Sequence, residues 1–149
     1  MLIAGLVICS PSCPVAEQTT APDPAGEWLV KDKTAHIHIA SCNKKLWGVI
    51  SWVQTPDTDK NNPDASKRNR PVLGLPILLG LQPGDSGEWS GNIYNADNGK
   101  IYKGGIHLKS ADILHVEGCI FGGILCGGED WMRLALGQET PDGICGQVE

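Results

Sequence analysis

The sequence predicts an all-β chain that closes into a single up-and-down barrel of about eight or more strands, with a two-sheet sandwich as the alternative. Apolar residues come in short runs, and some alternate with polar ones at the period of two that a half-buried strand requires. The 19 glycines and 10 prolines are scattered between those runs, as in a chain with many turns. No segment carries a sustained 3.6-residue period, so no amphipathic helix competes. Strands joined mostly by hairpins can hide their edges only by closing or stacking.

The elements follow in order. "GEWLVK" (26–31), "TAHIHIA" (34–40) and "KLWGVISWVQ" (45–54) are three strands with short breaks. The second shows the clearest alternation, Ile37 and Ile39 against His36 and His38. After a long polar interruption come "PILLGLQ" (76–82), "GEWSGNIYN" (87–95) and "KIYKGGIHLKS" (100–110). The last two are joined by "ADNG", in which Gly99 is free to take a positive φ. "DILHVEGCI" (112–120) and "ILCGGEDWMRL" (124–134) finish the set, with Gly122-Gly123 as a two-residue loop. That loop sets Cys119 opposite Cys126, within reach of a cross-strand disulfide. A loop centred on Ala111 likewise sets His107 opposite His115.

The first 21 residues are excluded from the fold. An apolar run from Leu2 to Cys9, stopped by Pro11, looks like an export signal, although no Lys or Arg precedes it. Residues 22–25 read as a linker and 26–149 as one barrel domain with a C-terminal tail. Of the 6 cysteines, Cys9 and Cys13 fall in the signal-like segment. Cys42, Cys119, Cys126 and Cys145 remain, an even number that fits an oxidising compartment. With Cys119 and Cys126 paired, Cys42 and Cys145 are partners by elimination. The expected location is therefore periplasmic or secreted. No apolar run approaches the roughly 20 residues of a membrane span, and with a net charge of −5 nothing in the bulk electrostatics favours nucleic acid.

Several stretches invite a chemical reading. "DKNNPDASKRNRP" (59–71) interleaves acids and bases without a glycine, and Pro63 and Pro71 stiffen it. Asp57, Asp59 and Asn61 have the one-three-five spacing of a calcium loop, but Asn62 and Arg68 stand where glycine and glutamate belong. An ordered strap across one barrel end is the better expectation, with Arg68 or Arg70 held by Asp59, Asp64 or a barrel carboxylate. "GDSG" (84–87) matches the serine region of trypsin-like proteases in letters only, because those enzymes need two barrels. His36 and His38 share a strand face, which more simply marks solvent exposure than a metal site. The chain reads as a non-enzyme, with no metal or cofactor.

The order of these signals is also informative. "GEW" (26–28), "CNKKLWGVISW" (42–52), "DKNNPDASKRNRPVLGLPIL", "WSGNIYNADNGKIY" and "LHVEGCIFGGILCGGEDWMRL" occur in that order. The chain from Gly26 to Leu134 thereby resembles an uncharacterised family of exported bacterial proteins, the domain of unknown function numbered 2147. The resemblance rests on Asp59, Asn62-Pro63, Arg68, Arg70-Pro71, Gly74, Ile93-Tyr94-Asn95, Gly99-Lys100, Tyr102, Trp131 and Arg133. It implies a small periplasmic lipocalin-like barrel, in which Trp28 and Trp131 with Arg133 would plug one end. Many relatives carry a second cysteine where this chain has Trp47, which bears on the partner of Cys42. The family supplies no catalytic residue to transfer.

The functional expectation is a binding barrel for a small apolar or amphipathic molecule. Its candidate binding residues are Trp47, Trp52, Asp59, Asn62, Arg68, Arg70, Tyr94, Asn95 and Tyr102, and Trp89 is a further candidate for the cavity wall. The alternative is an interaction or inhibitor module that meets an envelope protein through residues 55–70. The first predicts a hollow interior of roughly 300 Å³ or more, and the second a filled one.

Overall fold

The computed structural model describes residues 22–120, 125–136 and 143–148. The signal-like segment 1–21, the Gly122-Gly123 loop and residues 137–142 lie outside the described residues. Eight strands form a closed barrel in sequence order: β1 (Gly26–Leu29), β2 (Ala35–Cys42), β3 (Lys45–Val53), β4 (Pro76–Pro83), β5 (Trp89–Asn95), β6 (Lys100–Ser110), β7 (Ile113–Ile120) and β8 (Leu125–Leu136). Every neighbouring pair is antiparallel, and β1 closes on β8. The barrel, not the sandwich, is the outcome, because closure leaves no sheet edge exposed.

The registers follow the hairpins. Cys119 lies opposite Cys126 and His107 opposite His115. Between β2 and β3, Asn43 and Lys44 both take positive φ, 50° and 64°, which a two-residue hairpin turn demands. Gly99 takes φ 70° in the β5–β6 turn. A Cβ there would lie 1.8 Å from the Asn61 carbonyl oxygen. Glycine is therefore required twice over, by the turn and by the loop that lies against it.

Alternation puts Trp28, Ile37, Ile39, Leu46, Leu81, Ile106 and Leu114 into one buried cluster. One end of the barrel is filled. Trp28 is fully buried, and its indole N–H donates to the Pro24 carbonyl at 2.8 Å. The Arg133 guanidinium lies 4.2 Å over the Trp28 ring and donates to the carbonyls of Asp23, Ala25 and Ala111. Burial lowers the pKa of Arg133, opposed by the charges of Asp112 and Asp23. Trp131 joins the same core.

Two disulfides brace the sheet. Cys42–Cys145 spans a separation of 103 residues, and a loop of that size stabilises by ~4–5 kcal/mol in the chain-entropy model. It pins the single helical turn α1 (Cys145–Val148) against β2. There Ile144 and Val148 pack with Cys42, Val49, Ala40 and Trp47. Trp47 thus occupies the outer cluster next to a cysteine whose bridge runs to the tail. Cys119–Cys126 joins β7 to β8 near the other end of the barrel.

Candidate functional site

The end opposite Trp28 is open. A funnel of about 1060 Å³ enters the barrel there. Its walls include Ile37, Ile50, Val53, Ile77, Ile93 and Val116, with Trp131 deeper in. Its rim is polar, with Asp32, Thr34, Asp57, Lys60, Asn61 and Asp97. An apolar interior with a polar mouth is what a site for an amphipathic molecule needs.

The interrupting loop between β3 and β4 forms one side of that mouth. Its two arms are zipped together: Thr58 bridges Pro71, the Asp59 amide donates to Arg70 O at 2.9 Å, and the Val72 amide to Asp57 O at 3.0 Å. A short 3-10 turn, Ala65–Lys67, is capped by the Asp64 carboxylate, which accepts from the Ser66 amide. The Asn61 side chain donates to Asp97 O in the β5–β6 turn, the same turn whose Gly99 admits the Asn61 backbone. The strap is therefore ordered by its own side chains and seated on the barrel.

Its centre is Asp59, whose side chain is wholly buried. Oδ1 accepts the Tyr94 hydroxyl at 2.5 Å. Oδ2 accepts from Asn62 Nδ2 at 2.7 Å and from Arg70 Nε at 2.9 Å, and a terminal guanidinium nitrogen of Arg70 stands 2.8 Å from it as an ion pair. Burial alone would raise the Asp59 pKa. The hydrogen bonds from Tyr94, Asn62 and Arg70, with the charge of Arg70, more than offset it and leave the carboxyl below its ordinary value. The same burial, reinforced by the neighbouring carboxylate, raises the pKa of Tyr94. Asp57 is meanwhile paired with Lys60 at 2.7 Å. Both acids of the calcium-like spacing are thus engaged by cations of the chain itself.

The nine expected binding residues separate into three groups. Tyr94, Asn95 and Tyr102 border the funnel. Asp59, Asn62, Arg68 and Arg70 build the strap; Arg68 Nε donates to Asn62 O at 2.8 Å, and none of these four borders the funnel. Trp47 and Trp52 do not reach it. Trp47 packs on the outer cluster, and Trp52 is 42% exposed with its ring 4.5 Å from His36. The aromatic character that drew attention to them says nothing about which face of β3 they occupy: alternation with the inward Leu46 turns Trp47 outward, and the register shift between His36 and Ile37, which inserts Ser51 between Ile50 and Trp52, turns Trp52 outward as well. Trp89 packs against the core and borders a shallow groove at the filled end, with Ser86 and His107. The His107 ring lies 5.1 Å from that of His115, which pairs with Asp130, and His38 pairs with Glu27.

Sequence reading missed Glu129 and Gly127, which line the funnel. Their signal was available. Once Cys119 pairs with Cys126, Gly127, Glu129 and Trp131 share one face of β8, and the buried Trp131 identifies that face as the inner one.

A closed eight-stranded up-and-down barrel, filled at one end and hollow at the other, defines the lipocalin-like class. The fold matches the solved structure of protein HP1028 from Helicobacter pylori, described as belonging to the lipocalin family, with a TM-score of 0.69 and 20% identity over 76% of this chain and 84% of that one. The chain belongs to the family described as an uncharacterized protein conserved in bacteria, DUF2147, whose pattern matches residues 26–133. No curated protein matches it.

Proposed function

We propose that this protein is an exported barrel that binds a small amphipathic molecule in its funnel, within the cell envelope. The observation that carries the reading is the funnel itself: about 1060 Å³ in all, polar at its mouth on the strap end, apolar along its inner walls and bordered inside by Trp131. A barrel that served only to display loops would gain stability by filling that space. The two disulfides support an oxidising compartment, and no helix among the described residues is long and apolar enough to cross a membrane.

A glycine provides the test. A Cβ added at Gly127 would meet nothing within 4 Å, so a larger side chain there enters open space. Gly127→Leu should leave the melting temperature nearly unchanged and remove a lipid-sized adduct from native mass spectra of protein purified from its own periplasm. A wild-type protein that carries no adduct, and takes up no amphiphile when offered one, would sink the proposal. The protein-interaction alternative draws on the outward side of the strap, where residues 63–69 are exposed. It predicts that Gly127→Leu leaves partner binding intact.

A further inference from the structure

The inner face of the β7–β8 pair reads in layers. Leu114 lies opposite Trp131 at the floor, Val116 opposite Glu129 above it, then Gly118 opposite Gly127, then Ile120 opposite Leu125 toward the mouth. Glu129 therefore places a carboxylate between an apolar floor and a pair of glycines. Its Oε1 accepts the Trp131 indole N–H at 2.5 Å, which leaves further lone pairs for a ligand. No cation among the described residues forms an ion pair with it. Among the described residues that line the funnel, Asp32, Asp57 and Asp97 add three more carboxylates, against a single ammonium, that of Lys60, already held by Asp57.

From this arrangement we infer that the ligand is a cationic amphiphile, an apolar chain whose ammonium group reaches Glu129. The inference rests on the binding reading above and narrows it to one chemical class. A fatty-acid carboxylate would enter a funnel of its own sign and meet Glu129 without a counter-charge. A neutral hydroxyl could donate one ordinary hydrogen bond. An ammonium donates a charge-assisted bond to a partly desolvated acceptor and relieves the unpaired carboxylate. Gly127 keeps the passage to Glu129 open, since a Cβ there would meet nothing within 4 Å, while the space over Gly118 is taken by the Tyr102 side chain, 3.1 Å from where a Cβ would stand.

The test compares decylammonium, decanol and decanoate by titration calorimetry near neutral pH, on the wild type and on Glu129→Gln. Decylammonium should bind tighter than decanol by about tenfold, or ~1.4 kcal/mol, and decanoate weakest. Glu129→Gln retains an acceptor for Trp131. It should bring decylammonium down to the affinity of decanol and leave decanol unchanged. Equal binding of all three by the wild type overturns the charge inference while the binding reading stands; binding of none overturns both. Should Glu129→Gln also lose decanol, Asp97→Asn decides. This exposed rim variant should weaken decylammonium alone, by about twofold to threefold, with the loss shrinking in high salt. An unchanged preference for the amine in Asp97→Asn then overturns the inference.

Discussion

At the filled end of the barrel the central buried side chain is an indole, Trp28, and at the open end it is a carboxylate, Asp59. Trp28 is held by packing, by one hydrogen bond to Pro24 and by the Arg133 guanidinium on its face. Asp59 is held by three directional hydrogen bonds and one ion pair. The difference teaches how one sheet can be solid at one end and hollow at the other. Apolar packing stabilises by excluding space, so it fills whatever it closes. A polar hub needs only its own partners, so a strap tied by Asp59 can stand beside a cavity without entering it.

The comparison breaks most visibly at Trp28. Trp28→Ala should cost ~3–5 kcal/mol, because it removes a large buried side chain and leaves a void beneath Arg133. Urea denaturation measures it, and a loss below about 1 kcal/mol would mean that the filled end is not packed as described. Asp59→Asn should cost slightly less, ~2–4 kcal/mol. It turns an acceptor of several donors into a group that is itself half donor and leaves Arg70 unpaired, but Arg70 is 39% exposed and can turn to water. Limited proteolysis should then cut the strap while the barrel survives. Trp28→Ala should not produce that pattern.

Acid sharpens the contrast. The Asp59 pKa is lower in the folded protein than the ~3.9 of an unfolded aspartate. The folded state therefore binds the Asp59 proton less readily, and the stabilisation is complete above the unfolded value. It is lost as the pH falls through the lower folded value. The stability gap between wild type and Asp59→Asn should be flat from neutrality to about pH 5 and close below about pH 4. The gap between wild type and Trp28→Ala should not depend on that titration. Denaturation midpoints of the three proteins across this range check both statements.

The smallest effects separate the hub from the strap's surface. Arg70→Ala should cost ~1–2 kcal/mol, since Tyr94 and Asn62 still satisfy Asp59. Lys60→Ala should cost less than ~0.5 kcal/mol, because its pair with Asp57 is exposed. Equal melting temperatures for these two variants would show that Arg70 is as peripheral as Lys60.

Much of this was legible in the sequence because β structure writes a local code. Period two fixed the inward residues of β2, turn residues located the hairpins, and hairpin arithmetic paired Cys119 with Cys126 and His107 with His115. The strap was legible as an ordered segment from its prolines, its lack of glycine and its interleaved charges. Arg70 with Asp59 stood among the predicted anchors for the same reason.

What lay beyond the sequence were relations between strands that local periodicity does not encode. Trp47 and Trp52 look like cavity aromatics until closure of the barrel defines an inside and leaves both outside. Asp59 looks like one acid among several until folding brings Tyr94, 35 residues away, onto its Oδ1. The hollow itself is invisible in the chain, because a filled and an empty barrel carry the same inward apolar pattern. Only the tertiary structure sums the side-chain volumes across all eight strands, and that sum, with Gly127 facing free space, leaves the open end empty. Sequence determined the strands, their order and the hairpin pairings, since each depends on neighbours a few residues apart. Tertiary structure decided what stands inside, because an interior exists only after the last strand has met the first.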